Sequence, residues 1–272
     1  MGRLGWAAGL SLVTYGVRVG VRVSDPSVLP LIARSFPPGW KPSSSSLVDR
    51  LYSLRVGGAG PRPGQRRFHL LYQGGVRLAR TTVLEEALDR LEVDLQASVA
   101  ARARRRVFVH AGVVGWNGQA VVLPGYSFSG KSTLVAALVQ AGARYYSDEF
   151  AVLDAKGRVH PFARHLILRS PDGRKHVRPV LEDPDGARIP PLPVGVVVAA
   201  RYRPGGRWRP RRLSPGQGLL AMLRHTVPAR SRPREAVRVL CKALSRATVI
   251  QTARGEADET ARTLLGWLSH RH

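Results

Sequence analysis

The chain has 272 residues, 44% of them hydrophobic, with 43 Lys and Arg against 18 Asp and Glu, a formal charge of +25 and one cysteine. That hydrophobic share excludes a disordered chain, and a single cysteine excludes an internal disulfide or a multi-cysteine metal site. The charge invites a nucleic-acid reading, but only five of the 43 basic residues are Lys and the arginines are spread throughout; the skew reads as composition with a preference for anionic ligands, and a nucleic-acid partner is not expected.

Leu4–Val13 is apolar behind Met1-Gly2-Arg3, superficially like a signal peptide, but no small-x-small site ends it. Alternation over Gly16–Val23 predicts a strand, and Asp25-Pro26 predicts the cap and first turn of a helix to about Ser35. A loop follows at Lys41–Ser46, then strands at Leu51–Val56 and Phe68–Gln73. Between those strands the Gly- and Pro-rich Gly57–Gln65 is either a hairpin connection or a mobile flap. Apolar residues at helical spacing (Val83, Leu84, Ala87, Leu88, Leu91, Leu95, Val99) predict a long helix over Thr82–Arg105, with basic residues at its C-terminal end.

Beyond it come short strands at Val107–His110, Gly112–Val114 and Ala120–Leu123, a glycine loop and a helix over Lys131–Gln140. Strands Arg144–Ser147, Phe150–Leu153 and Val159–Phe162 follow, the last two joined by a turn at Lys156-Gly157. Ser170–Leu192 reads as a loop and Pro193–Tyr202 as a buried strand. Helices at Pro215–Leu223 and Pro233–Leu244, a strand at Thr248–Thr252 and a helix over Glu256–Leu268 complete the chain, with no internal repeat. Cys241 falls in a helical run and is expected to pack in the core. No segment reaches the roughly 20 apolar residues of a membrane span, so a cytoplasmic protein is expected.

The glycine loop carries the sharpest signal. Gly125-Tyr126-Ser127-Phe128-Ser129-Gly130-Lys131-Ser132 fits G-x-x-x-x-G-K-[ST] between an apolar strand and an amphipathic helix. Glycines let consecutive N–H groups turn inward onto phosphate oxygens, and the helix that starts at Lys131 adds its own unpaired N–H groups. Lys131 would reach the terminal phosphates of ATP, Ser132 would bind Mg²⁺, and Thr133 continues the same turn. Asp148 and Glu149 end the strand that follows the loop's helix. One could hold Mg²⁺ while the other takes the proton of an attacking hydroxyl. His110 ends a neighbouring strand and, alone, would more often be structural.

His110-Ala111-Gly112-Val113-Val114, Gly125–Thr133 and Ser147-Asp148-Glu149-Phe150, in this order and spacing over roughly residues 105–165, resemble the core of the HPr kinase/phosphorylase superfamily. The resemblance implies an α/β fold whose P-loop core, with a mixed sheet, is shared with phosphoenolpyruvate carboxykinase. It also implies that Asp148 is the base with His110 its partner, that Glu149 binds metal or water, and that Lys131 and Ser132 hold phosphates and Mg²⁺. Glu149 stands where the HPr-directed enzymes have a second aspartate, and their Glu-x-Arg-Gly-x-Gly signature is absent; the corresponding stretch is Leu168–Lys175. HPr as substrate and reverse phosphorolysis are therefore not expected. Asp148-Glu149-Phe150, Gly157–Phe162 and Arg164 are more similar to HPr-kinase-related proteins, among them kinases of a terminal serine in lasso-peptide precursors, whose N-terminal region residues 15–100 distantly resemble.

These features predict an N-terminal α/β region over residues 1–105, a candidate substrate-binding module, and a P-loop HPr-kinase-like catalytic domain over 106–272. The expected activity is ATP- and Mg²⁺-dependent transfer of a phosphoryl group to a serine of a peptide or small protein. A small-molecule hydroxyl (an amino acid or sugar) as acceptor, or a non-catalytic ATP-binding regulator, are the alternatives. Related enzymes are often multimeric, which leaves a homo-oligomer open. Arg164, His165 and Arg169 are candidate phosphate or substrate contacts, Arg174 and Lys175 candidates to close over ATP, and Trp116 and Trp208 are expected to pack.

Overall fold

A computed structural model describes residues 5–59, 66–126, 129–162, 164, 166–169, 175–178 and 189–270. The protein is α/β with mixed sheets, and it divides into two compact units, Met1–Arg104 and Arg105–His272.

The first unit is built on a six-stranded sheet. Its strands are β1 (Ala8–Thr14), β2 (Val17–Val23), β3 (Lys41–Pro42), β4 (Arg50–Arg55), β7 (His69–Gln73) and β8 (Val76–Thr81), in the order β3-β1-β2-β4-β7-β8. All neighbours are antiparallel except β2 and β4. A small ribbon, β5 (Gly58–Ala59) with β6 (Arg66–Arg67), extends the loop between β4 and β7, so the connection there includes a hairpin. One face of the main sheet buries Val19, Val21, Tyr52, Leu54 and Leu71 with Leu91, Leu95 and Val99 of helix α2 (Leu84–Arg102). The expected helix after Asp25 is shorter than its sequence pattern: a 3-10 turn at Pro26–Val28 and α1 at Leu29–Ala33. The apolar stretch near the N-terminus supplies β1, paired along its length with β2.

The second unit holds a sheet of eight strands: β9 (Val107–Trp116), β10 (Gln119–Pro124), β11 (Arg144–Ser147), β12 (Phe150–Leu153), β13 (Arg158–His160), β16 (Leu192–Tyr202), β17 (Arg211–Arg212) and β18 (Thr248–Arg254). The ladder β10-β9-β12-β13-β16 returns to β10, and β16 also pairs in parallel with β18. One apolar layer packs α3 (Lys131–Gln140) and α6 (Ala257–Ser269) on this framework. A second packs α4 (Pro215–Leu223) and α5 (Pro233–Leu244). Trp116 and Trp208 pack against the first layer.

Three local expectations change. Gly112 does not break β9, which is continuous; the glycine is there because an added Cβ would lie 2.6 Å from Val135 Cγ2 of α3. Within Ser170–Leu192, the strand β15 (Lys175–Arg178) pairs with β14 (Leu166–Arg169), so that part is a hairpin arm rather than a loop. Cys241 is exposed, because α5 buries Ala236, Val239, Leu240 and Ala243 and turns position 241 away. No helix among the described residues is long and apolar enough to cross a membrane.

Candidate active site

Val121, Val122 and Leu123 bury β10 in the core, and the chain leaves the sheet at Pro124 into the glycine loop. Gly125 N–H donates to the carbonyl of His110 at 3.2 Å. Gly130, at φ +77°, is the N-cap of α3, and a side chain there would collide with the Arg254 guanidinium. Lys131, Ser132 and Thr133 form the first turn, whose N–H groups have no intrahelical acceptor. Lys131 Nζ donates to the Tyr126 carbonyl at 2.7 Å. Burial pulls its ammonium below the ordinary lysine range, while the charges of Glu149 and Asp148 pull it back up. Ser129 Oγ is buried without a hydrogen-bond partner among the described residues. Ser127 and Phe128 lie outside the described residues.

Asp148 and Glu149 occupy a break in what is otherwise one continuous edge. β11 and β12 both run antiparallel to β9, Ser147 opposite Val113 and Phe150 opposite His110, and the two carboxylates sit between. Ser147 Oγ accepts the N–H groups of Glu149 and Phe150 at 3.1 and 2.9 Å, so the serine replaces the missing ladder bonds. Asp148 Oδ2 accepts from Ser132 Oγ at 2.8 Å, and Oδ1 accepts from the Tyr145 hydroxyl at 2.9 Å. Burial lifts the Asp148 carboxyl above the aspartate range against these two hydrogen bonds. Burial likewise raises the Tyr145 hydroxyl, which keeps it a donor.

The expected pairing of His110 with Asp148 is replaced by another. Glu149 Oε1 lies 3.1 Å from His110 Nε2, and His110 Nδ1 lies 2.9 Å from the Gly125 carbonyl. A carbonyl only accepts, so Nδ1 carries a hydrogen. Nε2 then faces the Glu149 carboxylate. The swap follows from the strand break: Asp148 is directed at the N-terminus of α3 by Ser132 and Tyr145, and its neighbour at β9, where His110 stands opposite Phe150. The ring of Phe150 meets His110 edge-on at 5.5 Å.

Three contributors carry no motif. Arg254, at the end of β18 and only 4% exposed, donates through Nη2 to the carbonyls of Ser129 and Gly130 at 3.3 and 3.1 Å. His225 packs its ring at 4.4 Å on Tyr126, and its carbonyl accepts the His110 N–H at 2.7 Å. Burial, then the nearby charges of His110 and Lys131, hold the His225 imidazole below its ordinary range. Tyr145 is the third. Arg254 and His225 stand far from the loop in sequence, so only spatial proximity could have singled them out; Tyr145 is three residues before Asp148, but nothing in the sequence marks it as that carboxylate's donor. Burial brings the Arg164 guanidinium down to about 10. His165 and Arg174 lie outside the described residues, and of Arg169 and Lys175 only the backbone positions in β14 and β15 are described.

The site therefore joins the first-turn amides of α3 and one ammonium to a hydroxyl–carboxylate pair on one side and a histidine–carboxylate pair on the other. Among the described residues there is no cluster of three His, Cys, Asp or Glu able to hold a metal alone. The donors at hand, Ser132 with Asp148, suit a hard cation that keeps most of its ligands from phosphate and water. No family model matches the chain, and no curated protein matches it either.

Proposed function

We propose that the protein is a kinase of the HPr-kinase type, transferring the terminal phosphoryl group of ATP to a serine hydroxyl of a peptide or small protein. The observation that carries this reading is the Glu149–His110 contact, set at the first glycine of the phosphate loop. Lys131 and the first-turn amides of α3 would grip the phosphates. Ser132 and Asp148 would hold magnesium, which supplies charge neutralisation on the phosphates. That assignment leaves Glu149, with His110, to accept the acceptor hydroxyl's proton, exchanging the two carboxylates' roles relative to the family resemblance.

The exposure of side chains at the site favours a large acceptor: Tyr126 is 66% exposed and the Glu149 side chain 39%. Positioning and fixed charge would supply most of the acceleration. Isothermal titration with Mg-ATP and transfer of labelled phosphate to serine peptides test the reading together. Lys131→Ala is expected to weaken nucleotide binding at least tenfold. Glu149→Gln is expected to bind Mg-ATP like the parent and lose about 10²-fold or more in transfer. Absence of any heat from Mg-ATP with the parent protein would remove the proposal, and undiminished transfer by Glu149→Gln would remove its proton acceptor.

A further inference from the structure

The first unit carries a second feature that the nucleotide reading does not use. Across β4, β7 and β8, Arg55 stands opposite Leu70 and Leu70 opposite Arg80, on the face away from Leu54 and Leu71. One row along, Arg22, Ser53, Tyr72 and Arg77 lie side by side. A cleft of about 440 Å³ opens on the first of these rows, lined by Arg55, Arg67, Arg80, Phe68, Leu70 and Val56 among others. The three arginines are exposed and have no ion-pair partner among the described residues. Arg18, at the other end of the β2–β4 pair, is by contrast 3.7 Å from Asp49.

Three guanidinium groups brought together over an apolar floor repel one another unless an anion joins them. Arg80 lies over the Phe68 ring at 3.6 Å, which fixes its plane and leaves its N–H edge available. The same stacking argues against nucleobases. Phe68 and Trp6 each already carry a guanidinium, Arg80 and Arg22 at 3.6 and 4.7 Å, so a ring face that a base would need is taken. Carboxylates need only the N–H edges. We propose that this cleft is an oxyanion site that takes the side-chain carboxylates of an acidic peptide segment. The site is lined by first-unit residues alone and holds whether or not the second unit is a kinase.

The full-length protein is titrated into a fluorescein-labelled octaglutamate peptide and followed by anisotropy at 50 and 200 mM salt. An octaglutamine peptide and a labelled (dT)10 oligonucleotide run alongside. Octaglutamate is expected to bind, octaglutamine not, and binding is expected to weaken with salt. The triple variant Arg55→Gln, Arg67→Gln, Arg80→Gln should lose at least tenfold in octaglutamate affinity. Because the chain is basic throughout, a control triple Arg203→Gln, Arg207→Gln, Arg238→Gln removes the same charge elsewhere and should lose less than twofold. Lys131→Ala should bind octaglutamate like the parent, which separates this site from the phosphate loop. Equal losses in the two triples, or octaglutamine binding as tightly as octaglutamate, would overturn the proposal. So would tighter (dT)10 binding that vanishes in the cleft triple, since the face would then serve nucleic acid.

Discussion

Burial lifts the Asp148 carboxyl while Ser132 and Tyr145 donate to it, so the residue is held where folding alone would not put it. A carboxyl raised on folding holds its proton more tightly folded than unfolded. Its contribution to stability is present below the unfolded value, near 3.8, and is lost as pH rises through the higher folded value. Asp148→Asn removes that loss and keeps an acceptor for Ser132. With chelator present and no nucleotide, the variant should gain on the parent between pH 3.5 and 7.5, by on the order of 1 kcal/mol in urea denaturation. A difference that is flat with pH, or that shrinks, would show that the carboxyl is not strained by burial. Lys131, Ser132 and the carboxylates were legible in the sequence because the glycine loop is a local device, a strand, glycines and a helix within one short run. Arg254, His225 and Tyr145 were not. Arg254 reaches the loop carbonyls from a sequence separation of more than a hundred residues, and in a chain of 38 arginines nothing in composition distinguishes it.

Elements follow the same division between local and distant causes. The periodicity of α2 was readable because its buried face repeats at helical spacing, whereas α3 buries Leu134–Leu138 without a break, so it is not amphipathic as expected and was legible from the glycine loop that starts it. β8 was missed because Arg77 and Arg80 sit within Val76–Thr81, and an edge strand with one open face tolerates them. Gly112 looked like an interruption of β9, yet it marks where α3 crosses closest. An alanine there would press on Val135, which is fully buried and, being β-branched, has no easy rotamer to yield. Gly112→Ala is therefore expected to cost about 1–3 kcal/mol in urea denaturation. Val135→Ala opens the space it needs, so the double variant should cost clearly less than the two singles added. Strict additivity would mean that the two residues do not meet.

At the scale of the whole molecule, the two units differ in what holds them. The first closes its core between one sheet face and α2, around Leu12, Tyr52, Leu54 and Leu91; the second has apolar layers of its own, around Leu134, Leu138 and Leu264 and around Val197 and Leu240. No residue of the proposed nucleotide site comes from Met1–Arg104. A ligand stabilises only the part that must be folded to bind it, by about 2.7 kcal/mol at a hundredfold excess over Kd. Scanning calorimetry should thus resolve two transitions, with Mg-ATP moving one upward and leaving the other in place. The octaglutamate peptide should move the other one instead, since the arginine cleft is made wholly of first-unit residues. In Lys131→Ala the nucleotide shift should vanish while the peptide shift persists. A single transition raised equally by either ligand would mean that the two cores melt as one cooperative body, and the separate roles proposed for them would have to be tested by binding alone.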